Sequence, residues 1–255
     1  MQVAALYDIH GNLPALEAVL EEIEDEGIDR ILVGGDVVPG PMAREALALL
    51  LHLRIPVEFI LGNGESDVLK LGGGQMPSRV PEAVHEAMRW VVDELEPDQM
   101  AALGRWPPTR ELEISGVGKV LFCHATPHND NEIITRATPE PVLRPIFDTT
   151  NAAVVVCGHT HMPFDRRIGD LRVVNPGSVG MPFGDPGAYW ARIGPGIELR
   201  RTPYDLAAAA ERFYATGYPQ VEGFVERSLL APASEEEMIA LFEGSSLRVG
   251  ADEVT

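Results

Sequence analysis

Seven side chains able to hold a metal ion close five short apolar runs of this chain. Val3 to Tyr7 leads into Asp8-Ile9-His10, Ile31 to Val33 into Gly34-Gly35-Asp36, and Phe59 to Leu61 into Gly62-Asn63. Val120 to Cys123 runs into His124, and Val154 to Cys157 into Gly158-His159-Thr160-His161. Short apolar runs bounded by turn residues read as buried strands. In open α/β sheets, ligands gather beyond the carboxyl ends of the strands. Strands of one sheet would therefore deliver all seven side chains to one edge. Two carboxylates, four imidazoles and one amide make a mixed nitrogen and oxygen donor set, which suits manganese, iron or zinc better than a soft thiolate-binding metal. Each residue alone is a weak signal, because a strand-end Asp more often caps a turn and His-Thr-His can be a plain polar turn. Five such placements in this order are hard to obtain by accident.

The segments between these runs indicate how the residues are positioned. Leu13 to Glu26 reads as a helix with Leu16, Val19, Leu20 and Ile23 on one face. Asn12 is its expected N-cap, and Pro14 falls in its first turn. Met42 to His52 reads as a second helix and Val57 to Leu61 as a third strand. That β-α-β-α-β order implies right-handed crossovers and a largely parallel sheet. After a loop at Gly72 to Pro77, Pro81 to Leu95 is expected as a helix, either packed on the core or closing over the site, and Pro97 to Leu103 as a short one. Thr109 to Ile114 and Lys119 to Cys123 form an expected hairpin around Gly116 to Gly118. Phe164 to Ile168, Leu171 to Val174, Ala188 to Ile193 and Ile197 to Thr202 suggest antiparallel strands. Asp205 to Ala215, Gln220 to Leu230 and Ser234 to Phe242 read as helices, the last opened by a Ser234/Glu237 capping box.

Taken together, the residues resemble the signature of the calcineurin-like metallophosphoesterases, which runs D-x-H, G-D, G-N-H-[DE], a lone H, and G-H-x-H. The matching positions are Asp8 and His10, Gly35 and Asp36, Gly62 and Asn63, His124, and Gly158, His159 and His161. Asn175-Pro176-Gly177-Ser178-Val179-Gly180 is similar to the N-P-G-S-V-G stretch of small bacterial members. The resemblance covers about residues 1 to 200. It implies an α/β fold, a four-layer α/β/β/α sandwich of two mixed sheets, with residues 1–203 as the metallophosphoesterase domain and residues 204–255 as a helical C-terminal extension packed on it. It also implies two divalent ions, with manganese favoured. Asp8, His10, Asp36 and His161 would hold one; Asp36, Asn63, His124 and His159 would hold the other; Asp36 would bridge.

At one position the chain departs from the signature. Gly62-Asn63-Gly64-Glu65 carries glycine where the family usually has histidine. That histidine is credited with contacting phosphate and assisting the leaving group. Asn63, Gly64 and Glu65 are still expected at the substrate. His128, four residues past His124, is the expected substitute proton donor. General-acid assistance is worth about 10²–10⁴-fold. Without it, aryl esters and phosphoanhydrides should be preferred over alkyl monoesters.

Composition limits the alternatives. With 255 residues, 45% hydrophobic and 23% charged, the chain can bury a full core. Its net charge of -19 disfavours coating of nucleic acid or an anionic membrane surface. A phosphate substrate would therefore be attracted by the ions, which carry about +4 against the two carboxylates. Two cysteines are too few for a disulfide framework, and Cys123 and Cys157 read as small core residues. No basic or apolar leader and no stretch long enough for a bilayer is visible, so a cytoplasmic protein is expected. Arg136, Arg144, Arg166 and Arg167 are candidates to steer phosphate. The reading is a dinuclear phosphoesterase, a phosphodiesterase or nucleotide hydrolase, in which a metal-bridging hydroxide attacks phosphorus in line. The partner is a small phosphate ester or nucleotide. The alternatives are a monoesterase for phosphoproteins and a catalytically weak binding scaffold; the scaffold predicts lost ligands, whereas every core ligand is present here.

Overall fold

A computed structural model describes residues 1–245; the last part of the expected C-terminal extension, residues 246–255, lies outside the described residues. The strands form two mixed five-stranded sheets. In the first, β1 (Val3–Leu6), β2 (Arg30–Val33) and β3 (Val57–Phe59) run parallel. In the second, β4 (Thr109–Ile114) is antiparallel to β5 (Gly118–Cys123), and β5 is parallel to β6 (Val154–Val156). β7 (Phe164–Ile168) forms a hairpin with β8 (Leu171–Asn175), and β8 lies parallel to β6. The chain then returns to the first sheet. β9 (Ala188–Ile193) pairs antiparallel with β1, and β10 (Ile197–Thr202) completes that sheet on the far side of β9.

The period of two along each strand divides the core into layers. Val3, Ala5 and Tyr7 point between the sheets, where they meet Phe122, Val156 and Val174. Ala4 and Leu6 point the other way, onto α1 (Leu13–Asp25) and α2 (Ala43–Leu51), with α4 (His85–Glu94) packed beside them. The outer face of the second sheet presents Leu121, Cys123, Val155 and Val173 to α6 (Glu140–Phe147). The result is the four-layer α/β/β/α sandwich. Each fully buried Val or Leu in these layers contributes about 1.5–3 kcal/mol, which is what holds short strands of three or four residues in place. Asn12 caps α1 through Ala15 N (3.1 Å) and is itself fully buried, because its amide also donates to the Gly180 carbonyl and to the Tyr204 hydroxyl.

Several elements differ from the sequence expectation. A helix, α3 (Asn63–Gly72), starts directly at the Gly-Asn motif, where glycines had masked its apolar positions. α6 is also unexpected: Pro141 stands in its first turn and Pro145 inside it, so its sequence reads as a breaker. The Pro81 to Leu95 segment divides into a 3₁₀ turn at Glu82–Val84 followed by α4, and α5 (Pro97–Leu103) follows it. After α7 (Leu206–Tyr214), the Gln220 to Leu230 segment is a short α8 (Val221–Phe224) continued by a π-helical turn at Val225–Leu230. α9 (Glu235–Glu243) starts at the expected Ser234/Glu237 box. The second half of the chain is less antiparallel than expected, because β5, β6 and β8 form a parallel core inside the second sheet.

Candidate metal centre

The ligand candidates sit in loops at the carboxyl ends of β1, β2, β3, β5 and β6, and so come from both sheets rather than from one. The two sheets bring their strand ends to a common rim, and backbone bonds tie the loops together there. Gly158 N donates to the His124 carbonyl (2.7 Å), Asp8 N to the Gly35 carbonyl (3.2 Å) and His10 N to the Asp36 carbonyl (2.8 Å). The Asn-Pro-Gly-Ser-Val-Gly stretch binds the first ligand loop to the last. Ser178 Oγ donates to the Asp8 carbonyl (2.7 Å), and Asn175 Nδ2 donates to the carbonyl of Gly158 (2.9 Å).

Two sets of donor atoms converge. Asp8, His10 and His161 each offer one atom within 4.8 Å of the others, and so do Asp8, Asp36 and His124. Three imidazoles have a fixed tautomer, because Nδ1 of each faces a carbonyl that can only accept. His10 Nδ1 faces the Pro39 carbonyl (3.3 Å), His124 Nδ1 that of Gly34 (2.9 Å), and His161 Nδ1 that of Met181 (2.7 Å). The proton is thereby assigned to Nδ1, and each Nε2 turns a lone pair inward. His10 Nε2 and His161 Nε2 stand only 3.2 Å apart, an arrangement that needs a proton or a cation beside it. Asn63 Oδ1 lies 3.0 Å from His124 Nε2. Among the described residues, Asp8 Oδ1 is the single buried side-chain oxygen or nitrogen with no hydrogen-bond partner. It faces His161 Nε2 at 3.5 Å and His124 Nε2 at 3.8 Å. An unpartnered buried carboxylate oxygen costs several kcal/mol unless a cation meets it. The donor set therefore fits divalent metal.

Charge and backbone strain agree with that fit. Burial, and then the charge of Asp8, hold the Asp36 carboxyl well above the usual carboxylate range. Burial would raise Asp8 as well, but the charge of His161, and then of His124 and His10, takes it below that range. Burial, reinforced by neighbouring imidazoles, pushes His10 and His159 down to about 3, so both stay neutral as ligands must. For His161 burial is outweighed by the charge of Asp8 and the Met181 carbonyl on its other nitrogen, and its value rises. Two buried carboxylates that repel each other are relieved by a cation between them. Asp8, His10, Asp36, His159 and His161 all hold left-handed backbone, with φ between 45° and 67°. Only Gln220 shares that conformation among the other described non-glycine residues. Such backbone clusters where the surroundings over-determine it, as at a functional site.

The remaining expected residues divide. His159 is brought to the rim but lies outside both convergent sets; its N–H donates to Asp8 Oδ2 (3.0 Å), and its ring stands 5.3 Å from that of His124. Gly64 N donates to Asp36 Oδ1 (2.7 Å). Glu65 is corrected from a substrate contact to an internal clamp. It is fully buried, and its carboxylate accepts from the N–H groups of Asp36, Val37, Val38 and Gly62 at 2.7–3.1 Å, which leaves no oxygen for a substrate. Burial and the Asp36 charge push its carboxyl up to about 7, against the downward pull of those donors. His128 lines a cavity together with His124 and Arg79, but it is exposed and its ring is turned to Thr149 Oγ1 (3.1 Å). The four proposed steering arginines are engaged elsewhere. Arg136 pairs with Glu235 and Glu236, Arg144 with Glu140, Arg166 with the Thr135, Arg136 and Thr138 carbonyls, and Arg167 with the Asp170 carbonyl.

The cation missed from sequence is Arg79. Its guanidinium grips buried Asp67 (3.0 and 3.1 Å) and the Asn63 carbonyl (3.0 Å), and it lines the same cavity as His10, Asp36 and Asn63. Nothing in the local sequence marks it, because the loop that carries it is joined to the site only by the fold. Arg79 stands beside the position that histidine occupies in the family signature. That position is closed to any side chain here: a Cβ on Gly64 would collide with the Val38 carbonyl oxygen and stand 2.9 Å from Pro39 Cδ and 3.0 Å from Asp36 Oδ1.

Comparison with known proteins agrees with this geometry. Residues 1–193 match the calcineurin-like phosphoesterase superfamily domain. The chain is 29% identical over 238 residues to the uncharacterized protein MJ0912 of Methanocaldococcus jannaschii, covering 86% of this chain and 94% of that one. It is 28% identical over 195 residues to the phosphodiesterase YfcE of Escherichia coli K12, covering 74% of this chain and 85% of YfcE. The crystal structure of a metallophosphoesterase from Sphaerobacter thermophilus shares the fold with a TM-score of 0.71 at 24% identity, over 89% of this chain and 97% of that one. The chain belongs to the calcineurin-like phosphoesterase superfamily, as a metal-dependent hydrolase of phosphoric esters.

Proposed function

We propose that this enzyme is a dinuclear phosphodiesterase or nucleotide hydrolase acting on small phosphate esters with good leaving groups. The observation that carries the reading is the orphaned Asp8 Oδ1 facing two imidazole nitrogens whose protons are fixed on the far side of their rings. Asp8, His10, Asp36 and His161 would hold one ion, and Asp36, Asn63, His124 and His159 the other. Manganese suits this donor set. When bound, two such ions supply Lewis-acid clamping of the phosphoryl oxygens and a nucleophile at neutral pH.

The chain's own residues do the rest. Glu65 holds the amides of the Asp36 loop, so the Asp36 carboxylate, which would be shared by the two ions, meets the site in one orientation. Gly64 N–H orients the same carboxylate from the other side. Arg79, fixed by Asp67 and by the Asn63 carbonyl, presents positive charge at the cavity wall, where it binds a phosphoryl oxygen. Gly64 offers no side chain to protonate an alkoxide, and His128, which lines a cavity with His124 and Arg79, has its ring turned to Thr149. Leaving groups that depart as stable anions are favoured for that reason. The name of the YfcE relative supports diesters over monoesters. The free, buried cysteines accord with a cytoplasmic setting.

The test is metal analysis of the purified chain together with an ester panel. Two manganese ions per chain and hydrolysis of bis(p-nitrophenyl) phosphate are expected, with both lost in Asp36→Asn. Full hydrolysis by Asp36→Asn would refute the reading.

A further inference from the structure

On its His10 side the metal centre adjoins a second cavity of about 320 Å³. His10 and Pro39 form the wall shared with the ligands, Met88 and Met181 line it, and Phe224 and Arg227 from the C-terminal helices close it. That volume falls in the range of small-molecule sites. Its lining contains no Asp or Glu, although the chain carries 39 of them.

Three irregular features meet at this cavity. Gln220 is the one described non-glycine residue outside the ligand set with left-handed backbone, φ 62°. Its side-chain amide donates to the Ala83 carbonyl (2.5 Å), which ties the C-terminal helices to the turn before α4. The stretch Val225–Leu230 is π-helical, a rare geometry that concentrates at functional sites. That wider turn carries Arg227, which is exposed and has no hydrogen bond or ion pair among the described residues. Gly223 makes room for it: a Cβ there would stand 2.7 Å from Arg227 Nη2. By contrast Arg136, Arg200 and Arg212 are each paired with glutamate.

We propose that this cavity receives an organic substituent of the phosphoester and selects a flat aromatic or heterocyclic ring, such as a nucleobase. The inference rests on the phosphoesterase reading, because the cavity shares His10 and Pro39 with the cavity that holds Asp36 and Asn63. The lining has the chemistry of a ring site. Thioethers of Met88 and Met181 contact aromatic edges favourably. Phe224 offers a ring edge or face, and the Arg227 guanidinium stacks on a ring and meets its acceptor atoms. An aliphatic substituent would leave Arg227 without a function. A cationic one would meet no carboxylate.

The experiment uses the manganese-loaded full chain with Arg227→Ala and Ala87→Phe, the second of which fills the cavity from α4. KM for bis(p-nitrophenyl) phosphate should rise at least about tenfold in each variant, and the inhibition constant of inorganic phosphate should move less than about twofold. An unchanged KM in Arg227→Ala, which removes an exposed side chain, overturns the inference and leaves the phosphoesterase reading standing. Adenosine, which carries no phosphate, is titrated by calorimetry in the same series. Binding that Arg227→Ala weakens about tenfold supports the ring cavity even if no ester is hydrolysed. No adenosine binding by the parent chain counts against it.

Discussion

Restoring the histidine of the family signature should damage this enzyme rather than improve it. If position 64 had merely lost a proton donor, Gly64→His would raise alkyl-ester hydrolysis by up to about 10²–10⁴-fold. The structure predicts a loss. A Cβ at 64 overlaps the Val38 carbonyl oxygen, so either that carbonyl or the start of α3 must shift. Neither is free to move. The amides of Asp36, Val37 and Val38 are held by Glu65, and Gly64 N is bonded to Asp36 Oδ1. Overpacking costs about 1–3 kcal/mol, and losing one hydrogen bond to a charged group about 1.5–3 kcal/mol more. The sum is roughly 2.5–6 kcal/mol, or a fall in Tm of roughly 5–24 °C for a chain of this size. Because the strained loop carries Asp36, manganese content should fall as well. The assay compares Gly64→His with Gly64→Ala, which shares the clash but lacks the imidazole. Melting temperature, bound manganese and hydrolysis of an alkyl phosphate are read on both. If Gly64→His keeps its Tm and its metal and gains alkyl-ester activity that Gly64→Ala lacks, the steric reasoning is wrong.

Two other outcomes follow from the same loop. Glu65→Ala strands four backbone donors in the core and should cost roughly 3–5 kcal/mol with loss of bound manganese; Glu65→Gln, which keeps an acceptor, should lose less on both measures. Equal melting temperatures for the two variants would contradict the clamp role. Metal binding should also be coupled to protons. Burial and Asp8 raise Asp36, so its carboxyl releases its proton at higher pH than a free carboxyl does; a cation competes with that proton, and manganese affinity should climb with pH. A carboxyl raised in the folded state stabilises at low pH and loses that contribution as pH rises through its folded value. The gap in Tm between loaded and metal-free protein should therefore widen from pH 5.5 to 8. A constant gap, with equal manganese affinity at both pH values, would disprove the coupling.

The ligand set was legible because each member follows an apolar strand directly, and a strand's end is where an α/β fold exposes side chains. The pairing of the sheets was not legible. β9 returns to β1 across most of the chain, and nothing local in Ala188 to Ile193 records that choice. α6 was hidden by Pro141 and Pro145, whose ring geometry the first turn and the surface position tolerate. Glu65 was misread for a physical reason: an acidic residue in the first turn of a helix usually faces solvent, and only the folded loop of Asp36 to Val38 gives it four amides. Arg79 was missed because its partners, Asp67 and Asn63, lie one turn apart on a helix that the sequence did not announce, 12 and 16 residues before it.

The left-handed conformations at Asp8, His10, Asp36, His159 and His161 bear on how such an enzyme would decay. A side chain in that region costs about 1 kcal/mol or more that glycine avoids. A descendant released from the need for metal could relax these positions to glycine and become sturdier with each step. Abandoned centres of this kind should accordingly be recognisable by a scatter of glycines along the rim, while alanines there would mark accident rather than relief.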